Sequence, residues 1–200
     1  LYEASYHTFI FYEYLCKRQL VPYNPVRMVD MPRVKEKAII QLDPDEVVTL
    51  LDHIENYGNQ LSGVQLYHYN KQKYRDLAIV TLLLGTGVRV SECVGLNISD
   101  IDFKNNGIRI LRKGGNEMVV YFGEEVEKAL KDYLDLSRNG ITPLAGHEDA
   151  LFLSGQRKRI SVDAVEKMVK KYCSAVSVKT ITPHKLRSTY GTALYRETGD

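Results

Sequence analysis

Arg89 stands between two apolar runs, Leu77–Leu84 and Cys93–Leu96, and directly follows Gly85-Thr86-Gly87-Val88. An arginine set among core residues is expensive unless it is paired or turned into a site. His184 and Arg187 follow Thr182-Pro183 three residues apart, so a helix would carry both on one face. Lys113 precedes Gly114-Gly115 between two alternating apolar runs, the position of a hairpin tip. Brought together, these four residues would form a site for one phosphate. Guanidinium forks bind two phosphate oxygens each and stabilise charge that develops on them. A lysine on a turn can reach in and protonate a leaving oxygen. A histidine can pass protons near neutral pH. Each residue also has a plainer reading. Arg89 could be a surface arginine at a helix start, Lys113 a solvated turn lysine, and His184 a helix-start residue held by backbone. Glu92 could simply pair with a backbone amide.

The elements that must position these residues follow from periodicity. Tyr2, Tyr6, Phe9, Ile10, Tyr14 and Leu15 recur at helical spacing, and Pro22 and Pro25 end the helix. One helix cannot bury its stripe alone, so residues 1–23 are expected to be the end of an N-terminal helical domain. Residues 24–41 hold Pro25 and Pro32, a mixed basic set and little periodicity, and read as a linker. Residues 42–200 then form one incomplete domain. Asp43-Pro44-Asp45-Glu46 opens a helix with Val47, Leu50, Leu51 and Ile54 inward. Residues 56–73 read as a polar loop, and Arg75-Asp76 as the start of a buried helix broken at Gly85 and Gly87. Residues 97–103 read as a connection. Ile108–Leu111 and Met118–Phe122 form a hairpin turned at 113–117, and Leu151–Leu153 could add a third short strand. Glu124–Ser137 is a helix with Val126, Leu130, Tyr133 and Leu134 inward. Ser161 caps another, whose outer face carries Lys167, Lys170 and Lys171. Thr182-Pro183 starts the last. The expected class is mainly α with a small antiparallel β-sheet (α+β).

Two hundred residues with ordinary apolar content supply ample core. No run approaches the roughly 18 apolar residues of a membrane helix. The first residues lack the basic-then-apolar order of a signal peptide, and a start at Leu1 suggests a fragment. Cys16, Cys93 and Cys173 are widely spaced and read as buried thiols of a reducing compartment. The five histidines show no metal-ligand spacing, so no metal or cofactor is expected. Net charge is only +2, but it is segregated. Between Gly155 and Arg187, nine basic residues face only Asp163 and Glu166. They are Arg157, Lys158, Arg159, Lys167, Lys170, Lys171, Lys179, Lys185 and Arg187. Such a patch fits a polyanion binder and, alone, fits a solvated helix face equally well.

The order Thr86-Gly87-Val88-Arg89-Val90-Ser91-Glu92, then Lys113-Gly114 at a hairpin, then Thr182-Pro183-His184-Lys185-Leu186-Arg187, resembles the tyrosine recombinases: phage integrases, Xer-type resolvases and conjugative-transposon integrases. The match runs from about residue 40 to residue 200. The resemblance implies a recombinase catalytic domain preceded by the last helix of a core-binding domain. It implies site-specific DNA recombination by metal-independent cleavage and rejoining through a 3′-phosphotyrosyl intermediate. Arg89 and Arg187 would clamp the scissile phosphate, Lys113 would protonate the leaving 5′ oxygen, His184 would act as general acid/base, and Glu92 would support. Arg157, Lys158, Arg159, Lys167, Lys170, Lys171 and Lys185 are the expected DNA-binding residues. The implied partners are double-stranded DNA and further copies of the chain, a tetramer on paired sites in the full-length protein. The implied setting is the cytoplasm of a bacterium, encoded by the host, a phage or a mobile element. The family's Leu-Gly-His motif and nucleophilic tyrosine do not follow Arg187, and Tyr190 and Tyr195 read as core aromatics, so the nucleophile is expected outside residues 1–200. The rivals are a DNA-binding regulator without chemistry and, more remotely, a type IB topoisomerase.

Overall fold

The computed structural model describes residues 2–29, 40–112, 115–177 and 179–198. The chain divides into two compact units, Leu1–Ala38 and Ile39–Asp200.

In the first unit, helix α1 spans Tyr2–Lys17 and leaves Tyr6, Ile10, Phe11 and Tyr14 largely exposed. Asn24 ties the following segment back to it. Its Oδ1 accepts from the Val26 amide at 3.0 Å, capping a 3-10 turn over Pro25–Met28. Its Nδ2 donates to the Phe9 carbonyl at 3.1 Å and to Glu13 Oε1 at 3.0 Å, and Arg27 Nε meets the same carboxylate at 2.9 Å. The start of the expected linker is therefore folded onto α1, because one buried asparagine supplies both cap and anchor. The rest of that segment, 30–39, lies outside the described residues.

The second unit opens with α2, Pro44–Asn56. Pro44 takes the first helical position, and the Asp43 amide donates to Glu46 Oε2 at 2.9 Å, closing the entrance by side chain. Leu50 and Ile54 are fully buried. Helix α3 spans Gly63–Thr86 and, at about 1.5 Å per residue, is about 36 Å long. It begins well before Arg75, so the expected loop over 56–73 is mostly helix. The reason is one anchor in a polar stretch. Tyr69 is buried, and its hydroxyl donates to the carbonyls of Ile54, at 2.8 Å, and Glu55. The other side chains of that half face water or lie half-covered.

Gly85 does not break α3. It stays helical where α5 crosses, and a Cβ there would come 2.5 Å from Val126 Cγ2. The break is at Gly87 alone, which caps the helix at φ 60° with its amide on the Leu83 carbonyl at 3.2 Å. Helix α4, Val90–Gly95, starts at once. After it comes a three-stranded antiparallel sheet in the order β1-β2-β3: Ile101–Asp102, Gly107–Leu111 and Glu117–Tyr121. The pairs Ile108↔Val120 and Ile110↔Met118 fix its register, and Ile108 and Ile110 point into the core. The third strand is thus Ile101–Asp102, not Leu151–Leu153. The latter residues are buried but contribute only an isolated bridge, Leu153↔Arg159.

Helices α5 (Glu124–Leu136), α6 (Val162–Val176) and α7 (Pro183–Thr198) complete the unit. Ser161 Oγ accepts from the Ala164 amide at 3.2 Å and caps α6. Helix α3 packs against α5, α7 and α2, and Ile79, Leu82, Leu83, Leu130, Tyr133, Phe152, Val165 and Val169 form the centre of the core. Polar ties pin the layers. Arg75 donates to Asp76 Oδ1 at 2.6 Å and to the Leu153 carbonyl at 3.0 Å, and the Tyr172 hydroxyl donates to Asp76 Oδ2 at 3.0 Å. Arg138 donates to the carbonyls of Glu148, at 2.7 Å, and Ala150, at 3.0 Å. Among the described residues no helix is long and apolar enough to cross a membrane.

Candidate functional site

The left-handed Gly87 turns the chain out of α3 so that Arg89 becomes the cap residue of α4. Glu92, one turn on, holds Arg89 at two points. The Arg89 amide donates to Glu92 Oε2 at 2.7 Å, and Arg89 Nη1 donates to Oε1 at 2.9 Å. The carboxylate is almost wholly buried, while the arginine side chain keeps 54% of its surface in solvent. Burial pushes the Glu92 carboxyl up, but the Arg89 amide, its guanidinium and the charges of Arg89 and Arg112 outweigh that and hold it below the usual carboxylate range. Arg112 belongs to the hairpin tip. The strand ends beside it, Leu111 of β2 and Glu117 of β3, share a cleft with the start of α4. The cleft is about 420 Å³, lined on one side by Ser91, Glu92 and Gly95 and on the other by Arg109, Leu111 and Glu117. Lys113 itself lies outside the described residues; the Arg112 amide donates to the Asn116 carbonyl at 2.9 Å.

The second part of the site is the first turn of α7. The Lys185 and Leu186 amides both donate to the Thr182 carbonyl, at 2.9 and 3.1 Å, and start the helix after Ile181, which is buried. Leu186 is fully buried and fixes the rotation of α7. His184 is left exposed and Arg187 half-buried. The Arg187 guanidinium makes no hydrogen bond or ion pair among the described residues, whereas Lys185 Nζ donates to the Thr180 carbonyl at 2.5 Å. One turn beyond Arg187 the Tyr190 ring lies on Gly87, close enough that a Cβ there would be 2.4 Å from Tyr190 Cδ1. The segment bearing Arg89 and the helix bearing His184 and Arg187 are therefore in direct contact. The Tyr195 side chain lies outside the described residues.

The basic patch is smaller than its sequence implies. Arg159, expected on DNA, is half-buried: Nη1 donates to the carbonyls of Leu96, at 2.7 Å, and Val94, at 3.1 Å, tying its loop to the end of α4. A third N–H, on Nη2, donates to Asn97 Oδ1, so three of the five guanidinium donors are engaged within the protein. Lys179 is likewise committed, to Glu46 Oε2 at 2.6 Å, Asp43 Oδ2 at 3.0 Å and the Gln41 carbonyl at 3.2 Å. Arg157, Lys158 and Lys170 remain exposed. Lys167 pairs with Asp163 at 2.8 Å, and Lys171 sits 4.3 Å above the Tyr57 ring with its charge still accessible. Lys71 joins this set from outside the basic run. It lies on α3 and lines the same cleft as Arg157 and Tyr67, about 560 Å³ in volume. No sequence signal links it to Arg157, since the region reads as a loop until Tyr69 is seen buried.

A mainly helical unit with a small sheet, two arginines on touching elements and a histidine beside one of them define a class already known. Residues 41–200 match the model of the phage integrase family, and the chain belongs to that family, the tyrosine recombinases. It is similar to tyrosine recombinase XerS of Streptococcus agalactiae serotype III (strain NEM316), 43% identical over 170 residues, which is 82% of this chain and 46% of the relative. XerS of Streptococcus thermophilus (strain CNRZ 1066) is 40% identical over 169 residues, with the same shares of each chain. The chain thus spans less than half the length of these curated relatives. Among solved structures it resembles the XerA recombinase, at 32% identity and a TM-score of 0.66, over 80% of this chain and 52% of the other. The fold also matches that of the Tn1549 transposon integrase (residues 82–397) in complex with circular intermediate DNA. That likeness has a TM-score of 0.70 and 23% identity, over 99% of this chain and 66% of the other.

Proposed function

We propose that this chain is the catalytic part of a site-specific DNA recombinase that cuts and rejoins duplex DNA without a divalent metal. One observation carries the reading. Arg75, Arg138 and Arg159 each donate to protein carbonyls or carboxylates, while among the described residues Arg187 has no hydrogen-bond or ion-pair partner and Arg89 engages only Glu92. Two forks with capacity left, on touching elements, fit a phosphodiester whose charge grows in the transition state. On this reading a tyrosine oxygen attacks the phosphorus, and its proton passes to His184. The bond from phosphorus to the 5′ oxygen breaks, and Lys113 protonates that oxygen. The 3′-phosphotyrosyl bond preserves the energy needed to rejoin. Glu92 orients Arg89. The nucleophile is a tyrosine other than Tyr190, whose ring is packed on Gly87, and we place it outside residues 1–200.

Duplex DNA would lie along Arg157, Lys158, Lys170 and Lys171, with Lys71, Lys167 and Lys185 beside it. We read α1 as part of a helical DNA-clasping domain before the catalytic one, joined by the segment through residue 41. Further copies of the chain would assemble on paired sites, in a bacterial cytoplasm. The full-length protein tests the reading with a nicked duplex that traps the adduct. A covalent protein–DNA species forms with EDTA present. If cleavage requires magnesium, or no adduct forms, the proposal fails.

A further inference from the structure

We infer that Tyr190 is a positioning residue that sets the separation between Arg89 and Arg187. The inference rests on the recombinase reading. The contact is direct: a Cβ on Gly87 would lie 2.4, 3.0 and 3.2 Å from Cδ1, Cε1 and Cγ of the Tyr190 ring, so the Cδ1 side of the ring is seated where a side chain at 87 would be. Gly87 is held from the other side as well. Its amide bonds the Leu83 carbonyl at 3.2 Å, and its φ of 60° admits no ordinary side chain without strain. From Gly87 the chain reaches Arg89 in two residues, through Val88, which is buried.

The ring's own footing is equally firm. Thr189, next to it, is buried and accepts a hydrogen bond from the Leu42 amide at 3.0 Å. Leu186, one turn back, is fully buried. Helix α7 therefore cannot roll to relieve the contact, and Arg187 is three residues from the ring on the same helix. The two arginines come from segments about a hundred residues apart in the chain, and the ring on Gly87 is a rigid spacer between them. Glycine at 87 does two jobs, the left-handed turn and the seat for the ring. The Tyr190 hydroxyl has no partner among the described residues, so the ring itself is what the spacer uses. A misplacement near 1 Å between catalytic groups slows chemistry about a hundredfold.

The test uses the full-length protein and three variants, Tyr190→Phe, Tyr190→Leu and Tyr190→Ala. Single-turnover cleavage of the nicked duplex and duplex affinity are measured for each. Tyr190→Phe cleaves at the parent rate. Tyr190→Ala and Tyr190→Leu keep affinity within about twofold while cleavage falls about a hundredfold. In an Arg89→Ala background, Tyr190→Ala has little further effect, because a residue acting through Arg89 is not additive with it. Normal cleavage by Tyr190→Leu, or equal loss in Tyr190→Phe, overturns the inference. A second readout does not need cleavage: the Arg89 Nε–H resonance moves in Tyr190→Leu and returns in Tyr190→Phe. If the parent protein forms no adduct but this resonance behaves so, the recombinase reading fails and the spacer stands. An unmoved resonance overturns the spacer alone.

Discussion

Arg89 keeps half its side chain in solvent although Glu92 holds it twice, through backbone and guanidinium. A buried carboxylate that gripped the whole fork would have removed the residue from any outside partner. Here Glu92 fixes direction and leaves binding capacity. Arg89→Lys removes the fork and keeps the charge. On the proposed function it holds duplex affinity within about twofold and slows cleavage about a hundredfold, read by gel shift and single-turnover trapping. Equal loss of both would mark Arg89 as structural. At this scale the sequence is informative only for residues whose surroundings contradict them. Arg89 stands out between apolar runs, and His184 and Arg187 stand out by spacing. Arg159 looks like its basic neighbours, and nothing local says that the carbonyls of Val94 and Leu96 will take up its guanidinium.

The elements are legible where periodicity is clean. Helices α2, α5 and α6 and strand β2 have inward stripes that match their burial. The first half of α3 is not, because Tyr69 alone is buried there and a single anchor has no period. Strand β1 is two residues long, too short for any alternation. Gly85 misleads because a glycine looks like a break whether it turns the chain or admits a neighbour such as Val126. One junction between elements carries a pH signature. Lys179, in the loop before α7, grips the entrance of α2. Its hydrogen bond, with the Asp43 amide next, holds the Glu46 carboxyl at about 2, below its ordinary 4.5. A depressed carboxyl contributes stability that is complete above its unfolded value and lost as pH falls through the folded one. The contribution is therefore whole above pH 4.5 and gone near pH 2. Urea midpoints show the difference between the parent protein and Lys179→Ala at neutral pH, and that difference shrinks across this window. A difference that persists at pH 2 would assign the loop's stability to packing.

Across the whole molecule, charge is sorted rather than abundant. The net value is +2, yet committed and uncommitted cations are interleaved along the sequence and separate only in the fold. Removing one cation that neutralises a phosphate lowers the salt dependence of duplex binding by about one unit of log–log slope. Replacing both Lys170 and Lys171 by Gln lowers it by about two. Replacing Lys179 by Gln leaves it unchanged, because that amine already faces Asp43 and Glu46. An unchanged slope in the first case would make the α6 face a solvated one. The patch as a whole can be read in the sequence; its members cannot be sorted there, because the partners of Lys179 lie more than a hundred residues upstream.

The three thiols divide along the same line as the two units. Cys93 and Cys173 are buried in the second unit, and burial pushes them up to about 12 and about 11. They are protonated and inaccessible at neutral pH, and so inert to electrophiles. Cys16 is half-exposed and belongs to the first unit, correcting the expectation that all three would be buried. The fold thus leaves a single chemically addressable sulfur, on α1. A dye attached there labels the helical unit and leaves the second unit in its native covalent form.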